Sequence, residues 1–191
     1  MMNPKLVILD RDGTINQDSD DYVKTVDEWL PLPGAIDAMA RLHHAGWHVV
    51  IATNQSGLGR GLFDVATLNQ MHDKMNKLLA LAGGRVDAIF YCPHTPDDHC
   101  QCRKPLPGLL EQIAERFGVH LSEVHVVGDS LRDAQAGAAV GCQTHLVRTG
   151  KSQALTSNQL PKGFPPDTRV HADLADFVEW LIDHSLTKAD A

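Results

Sequence analysis

Leu6-Val7-Ile8-Leu9-Asp10-Arg11-Asp12-Gly13-Thr14 is the stretch on which the fold turns. Four consecutive apolar residues, β-branched Val7 and Ile8 among them, predict a short strand buried on both faces, as in the middle of a parallel sheet. The strand runs straight into two carboxylates and a glycine turn. Ligands of parallel sheets bind beyond the carboxyl ends of the strands, where this chain places Asp10 and Asp12. Two acids one residue apart repel each other unless a cation lies between them. The pair therefore points to a hard divalent metal with oxygen ligands, most simply Mg²⁺.

Downstream, strand and helix patterns alternate. The polar loop Asn16-Gln17-Asp18-Ser19-Asp20-Asp21-Tyr22 has no hydrophobic period and lies beside the expected site, within reach of a substrate. Pro33-Gly34 opens a helix carrying Ile36, Met39, Ala40 and Leu42, which Gly46 ends. A second strand is expected from Trp47 to Ala52. It leads into Thr53-Asn54-Gln55-Ser56-Gly57, a loop of small polar donors of the kind that holds phosphate oxygens. Asp64 caps a long helix with Leu68, Met71, Met75, Leu78 and Leu79 on one face; its methionines read as core packing. Gly83-Gly84 stops it, and Val86 to Tyr91 reads as a third strand.

That strand delivers Cys92-Pro93-His94 and, after a polar connector, Cys100-Gln101-Cys102. Three thiols and an imidazole in so short a span match a closed Cys₃His zinc site, with His99 the competing fourth ligand. Such an ion would be structural, stapling a loop without an apolar core. Arg103 and Lys104 follow at once, so a cation is aimed toward Asp10 from an immobilised base. Pro107 starts the next helix, with Leu109, Leu110, Ile113, Ala114 and Phe117 buried and Gly118 at its end. Val124 to Val127 is a fourth strand leading to Gly128-Asp129-Ser130-Leu131-Arg132-Asp133, which brings a third strand-end acid and a fourth one helical turn on. A small-residue helix from Ala134 to Gly141 and a fifth strand from Thr144 to Val147 complete the alternation. Lys151 to Asp167 reads as an irregular excursion. The last helix, about 173–184, should dock through Leu174, Phe177, Val178, Leu181 and Ile182, with fraying expected after Leu186. Cys142 reads as a small buried hydrophobe, and the remaining histidines are expected to form no cluster.

The chain has 191 residues and a net charge of −7 with no basic block, which argues against a nucleic-acid or anionic-membrane partner. Met1-Met2-Asn3-Pro4-Lys5 runs directly into the first strand, with neither a secretory leader nor a long apolar span. The reading is one cytoplasmic domain over residues 1–191, acting as a monomer with reduced thiols.

Five strand–helix alternations predict an α/β fold: a Rossmann-like, open, mostly parallel sheet with helices on both faces. Its strand ends carry Asp10 with Asp12, Thr53 with Asn54, Lys104, and Asp129 with Asp133. This set, over about residues 5 to 150, resembles the four motifs of the haloacid dehalogenase-like phosphohydrolases. The resemblance implies that Asp10 is a nucleophile forming an aspartyl-phosphate, and that Asp12 is the acid for the leaving group and then the base for water. It also implies Mg²⁺ on Asp10, the Asp12 carbonyl and Asp129. Thr53 and Lys104 would bind the transferring phosphoryl group, with Asp133 in support. Two like charges at contact distance repel by about 4 kcal/mol at an effective dielectric of 20, so metal and lysine are needed to cancel that term.

The segments Asp12–Thr53 and Thr53–Lys104 leave no room for a cap domain. Substrate choice is then expected to rest on Asp18, Ser19, Asp20, Asp21 and Tyr22, on Asn54, Gln55 and Ser56, on Arg103 and the zinc loop over residues 92–102, and on Ser130. Together with Tyr22-Val23, the motifs Tyr91-Cys92-Pro93-His94 and Cys100-Gln101-Cys102-Arg103-Lys104-Pro105 are similar to those of the capless, zinc-bearing heptose-bisphosphate phosphatases of lipopolysaccharide-core biosynthesis. The acidic run Asp18–Asp21 and Ser130 depart from that family's usual shorter loop and lysine. The resemblance implies removal of the 7-phosphate of a heptose 1,7-bisphosphate, a small phosphorylated sugar. The related histidinol-phosphate phosphatases are the alternative. A nucleic-acid 3′-phosphatase would need a basic groove, and a non-catalytic zinc-stapled binding module would tolerate replaced motif residues.

Overall fold

A computed structural model describes residues 4–189, the last four as backbone alone. The strands are β1 (Leu6–Leu9), β2 (His48–Asn54), β3 (Ala88–Cys92), β4 (His125–Gly128), β5 (Gln143–Val147) and β6 (Arg169–His171). They form one parallel sheet in the order β3-β2-β1-β4-β5-β6. The order reverses between β1 and β4, and in such sheets a ligand crevice opens at that point beyond the carboxyl ends. Asp10 leaves β1 and Asp129 leaves β4 on either side of it.

The helices are α1 (Ala35–His44), α2 (Ser56–Gly59), α3 (Val65–Leu81), α4 (Gly108–Phe117), α5 (Leu131–Ala139) and α6 (Leu174–Ala189). Val7 and Leu9 face a core completed by α1, α3 and α6, whereas Leu6 and Ile8 face one completed by α4 and the Ala136 side of α5. Both faces of β1 are dry, which is why the strand shows no polar alternation. Met71 and Met75 are fully buried in the first core, and Cys142 lies against the second. Among the described residues, no helix is long and apolar enough to cross a membrane.

Several boundaries differ from expectation. β2 does not stop at Ala52, because Thr53 and Asn54 stay paired with Tyr91 and Cys92. β3 begins at Ala88 rather than Val86, since the Asp87 carboxylate turns back to accept the Val49 N–H at 2.9 Å. Ser56 to Gly59 is a single helical turn instead of loop. α5 starts at Leu131, because Ser130 and Asp133 form a capping box there. β6 was not expected: three residues are too short for a period, and pairing with β5 makes the strand. The backbone of α6 stays helical through Ala189, beyond the point where fraying was expected; Asp190 and Ala191 lie outside the described residues. Between Asp12 and Thr53 lie a loop and α1, and between Thr53 and Lys104 lie α2, α3, β3 and the cysteine loop, so the walls above the strand ends are loops.

Candidate active site

The Asp10 N–H donates to the Val127 carbonyl at 2.9 Å, which ties the end of β1 to β4. Lys104, 4% exposed, fills the space below. Its ammonium donates to Asp10 Oδ1 at 2.8 Å, Asp133 Oδ1 at 2.7 Å and the Ala52 carbonyl at 2.8 Å, so all three donors are satisfied. Asp133 Oδ2 accepts from the Ser130 N–H and hydroxyl, so one carboxylate both caps α5 and neutralises the lysine. Asn54 clamps the lysine backbone, accepting from its N–H and donating to its carbonyl, each at 3.0 Å. Asn54, expected to face phosphate, lines the cleft, and its amide oxygen and nitrogen also hold Lys104.

Carboxylate oxygens of Asp10, Asp129 and Asp133 lie within 4.8 Å of one another. Asp129 Oδ2 accepts the Lys151 N–H at 2.7 Å. Gly13 (φ +85°) and Gly150 (φ +51°) pack their backbones against this carboxylate, and a Cβ at either would collide with it. Only residues without a side chain fit that approach. Burial, then Asp133, raises the Asp10 pKa above the usual carboxylate range, with Lys104 opposing. Burial, then Asp10 and Asp133, raises Asp129 further. Burial lowers Lys104, but Asp10 and Asp133 outweigh it and keep its ammonium charged. Three acids against one ammonium leave surplus negative charge out of water, which is the donor set of a hard divalent cation.

Asp12 is gripped separately. Oδ1 accepts from Arg11 Nε at 2.9 Å and Asn16 Nδ2 at 2.9 Å, and Oδ2 accepts from Gln55 Nε2 at 3.0 Å. The same Gln55 nitrogen lies 2.9 Å from the Thr53 hydroxyl, to which it donates.

The cleft holds about 240 Å³. It is walled by Asp10, Asp12, Thr53, Lys104, Asp129 and Asp133, and by Asp18, Ser19, Asp20, Tyr22, Asn54, Gln55, Ser56, Arg103 and Ser130. Asp21 is exposed and outside this wall, its carbonyl accepting from Lys24 Nζ at 2.7 Å. Sequence reading missed Arg60, Arg132 and Lys151, which also line the cleft. Arg132 stood inside the Gly128–Asp133 motif and could have been read there. Lys151 pairs with Asp18 at 3.0 Å and Asp20 at 2.7 Å, which only the folded chain brings together. Burial, then the charges of Arg132 and Arg60, pulls the Arg103 pKa down, so three guanidiniums gather at one rim.

Cys92 Sγ lies 3.5 Å from His94 Nδ1 and 3.6 Å from Cys100 Sγ; His94 Nδ1 lies 3.3 Å from Cys102 Sγ. A tetrahedron with metal–sulfur bonds of about 2.3 Å has edges of about 3.8 Å, so the four donors fit zinc. His99 is exposed and outside the cluster. Burial pushes Cys92 up to about 12. Burial works the same way on Cys100, yet the Arg103 N–H and the Cys92 thiol bring it to about 7. The Arg103 Nη1 donates to the His94 carbonyl at 3.4 Å, linking this loop to the cleft.

The histidines set aside in the sequence do form a cluster: His125 Nδ1 lies 2.9 Å from His145 Nε2, and His145 Nδ1 lies 3.0 Å from His171 Nε2. They sit on neighbouring strands, at the opposite end of the sheet from Asp10 in the case of His125.

Residues 101–177 match a family model described as HAD-hydrolase-like. The chain is 58% identical to the D-glycero-beta-D-manno-heptose-1,7-bisphosphate 7-phosphatase of Bordetella bronchiseptica over 95% of this chain and 99% of that one. It is 54% identical to the protein of the same name from Pseudomonas aeruginosa, over 95% and 99%. A crystal structure of the B. bronchiseptica D,D-heptose 1,7-bisphosphate phosphatase, complexed with magnesium and phosphate, superposes with a TM-score of 0.89, covering 94% of this chain and 99% of that one. The corresponding Burkholderia thailandensis structure, 49% identical, gives 0.72 over 93% and 98%.

Proposed function

This chain belongs to the D-glycero-beta-D-manno-heptose-1,7-bisphosphate 7-phosphatase family of HAD-like hydrolases, and from that premise we propose that it removes the 7-phosphate of a heptose 1,7-bisphosphate in the cytoplasm. The observation that carries the reading is the meeting of Asp10, Asp129 and Lys104 at the sheet's reversal point, with Asp12 held apart by its own donors.

In the first step an Asp10 oxygen attacks phosphorus, the bond from phosphorus to the C7 oxygen breaks, and Asp12 protonates the departing oxygen. In the second, Asp12 takes a proton from water, which attacks the aspartyl-phosphate and returns Asp10 and inorganic phosphate. Arg11 and Asn16 both donate to Asp12 Oδ1, whereas Oδ2 accepts from Gln55 alone, so Oδ2 is the oxygen with a lone pair left to carry the proton. Thr53 binds a phosphoryl oxygen, and Lys104 does so by exchanging its contact with Asp10 Oδ1 for one as Asp10 attacks, keeping its bonds to Asp133 and the Ala52 carbonyl. Asp10, Asp129 and the Asp12 carbonyl would hold Mg²⁺, which supplies positive charge against the anionic phosphoryl group. Asp133 supports from behind, its oxygens already engaged by Lys104 and Ser130. Cys92, His94, Cys100 and Cys102 would hold a structural zinc, and reduced thiols fit a cytoplasmic setting. Arg103, with Arg60 and Arg132 beside it, faces the phosphate that stays, while Asp18, Ser19, Asp20, Tyr22 and Ser130 contact the sugar.

Phosphate release from heptose 1,7-bisphosphate is expected to exceed that from histidinol phosphate by at least about tenfold in kcat/KM, roughly 1.4 kcal/mol of discrimination. The reverse preference would hand the role to histidinol phosphate.

A further inference from the structure

Arg11 is a charged side chain with 0% exposure, and a buried guanidinium needs a partner for every edge it presents. Nε donates to Asp12 Oδ1, and Nη2 lies 2.8 Å from the same oxygen as an ionic contact rather than an aligned hydrogen bond. The opposite edge turns away from the cleft into α3. There Nη1 sits 3.2 Å from His72 Nε2 and 3.9 Å from the Met71 sulfur. His72 is itself buried, at 7% exposure. Arginine can only donate, so His72 Nε2 is the acceptor and the ring proton is on Nδ1. Burial, then the Arg11 charge, holds His72 down at about 4, in keeping with a neutral ring.

The guanidinium is planar and rigid, so fixing Nη1 fixes the direction of the edge that meets Asp12. We infer that His72 is a positioning residue for the reaction: through Arg11 it orients the Asp12 carboxylate so that Oδ2 is presented to the leaving-group oxygen. His72 is not among the residues that wall the cleft, and it lies 61 positions from Arg11 in the chain. This inference rests on the assignment of Asp12 as acid and base under the proposed function.

The leaving group provides the test. An alkyl phosphate such as heptose 1,7-bisphosphate needs its departing oxygen protonated, whereas p-nitrophenyl phosphate needs little help. His72→Leu removes the acceptor and is expected to lower kcat/KM on heptose 1,7-bisphosphate by about 10- to 100-fold and on p-nitrophenyl phosphate by no more than about threefold. His72→Gln, whose amide oxygen can accept from Nη1, should recover most of the loss. Arg11→Lys keeps the buried charge but cannot span Asp12 and His72 together; it should reproduce the asymmetry and carries the test if His72→Leu does not fold. Equal losses on the two substrates, or a Gln variant no better than Leu, would overturn the positioning role. Asp12→Asn is the reference. If it shows the asymmetry and the His72 and Arg11 variants do not, this inference alone falls; if Asp12→Asn lacks the asymmetry, the acid–base assignment falls with it.

Discussion

Two clusters of side chains that could each hold a metal ion are built in opposite ways. The carboxylates at the ends of β1 and β4 are held by the protein itself: Lys104 bridges Asp10 and Asp133, the Lys151 N–H fixes Asp129, and glycine backbones wall it in. The thiol cluster sits on a loop whose one regular piece is a 3₁₀ turn at Pro96–Asp98, and its contacts with the apolar core run through the cysteines. In the first, the sheet organises the ligands before any ion arrives. In the second, an ion held by the four donors is expected to organise the loop. The difference teaches which loss each region tolerates: the carboxylate site should survive metal removal as a shape, and the thiol site should not.

The largest effect should come from the carboxylates. Asp10→Asn is expected to lower turnover by about 10⁴-fold or more. Its circular dichroism and zinc content should match the parent protein; a variant with more than a few per cent activity would remove Asp10 from the nucleophile role.

Breaking the other side of the comparison should cost less activity but more structure. Cys100→Ser is expected to lose bound metal and to lower kcat/KM by about 100-fold, because Arg103 and Lys104 leave a disordered base. Metal analysis beside kinetics checks this, and full activity in a zinc-free variant would mean that the loop holds itself.

The pH dependence of stability sharpens the contrast. Asp10 and Asp129 are raised in the folded protein, so without metal the folded state keeps protons that the unfolded state has released. Stability without Mg²⁺ should therefore fall as pH rises from the ordinary carboxylate range toward about 9. The midpoint of protein that keeps its thiol-bound metal but has no Mg²⁺ should be lower at pH 8 than at pH 5, and Mg²⁺ should raise it more at pH 8. A midpoint that rises with pH in the absence of Mg²⁺ would contradict the surplus negative charge.

The smallest effect belongs to the clamp on Lys104, where the two regions meet. Asn54→Ala leaves the Lys104 N–H and carbonyl without their partner and is expected to cost about 1–3 kcal/mol by denaturant titration. Kinetics should show a modest fall in kcat with metal content unchanged.

Much of the site was readable because strand ends are local: Asp10, Thr53, Asp129 and the Cys-x-His and Cys-x-Cys pairs follow from short stretches with clear periods. The partners of those residues were not. Gln55 was expected among the phosphate donors; it lines the cleft, and the unforeseen part is that its amide joins Asp12 to Thr53. Lys151 stood in what looked like the start of an irregular excursion, yet its side chain meets Asp18 and Asp20 and its N–H meets Asp129. The histidine ladder needed the pairings Val127↔His145 and Val147↔His171 to bring its rings together on β4, β5 and β6.

The sequence by itself determined a doubly wound α/β chain with acids at two strand ends and a four-ligand cysteine–histidine loop, because buried strands, helix starts and metal ligands each have a signature within a few residues. Only the tertiary structure decided that Arg11 is wholly buried between Asp12 and His72, that Asn54 serves the Lys104 backbone, and that β6 exists. Those outcomes depend on which charge must find a partner once water is gone, and that pairing is chosen across the sheet rather than along the chain.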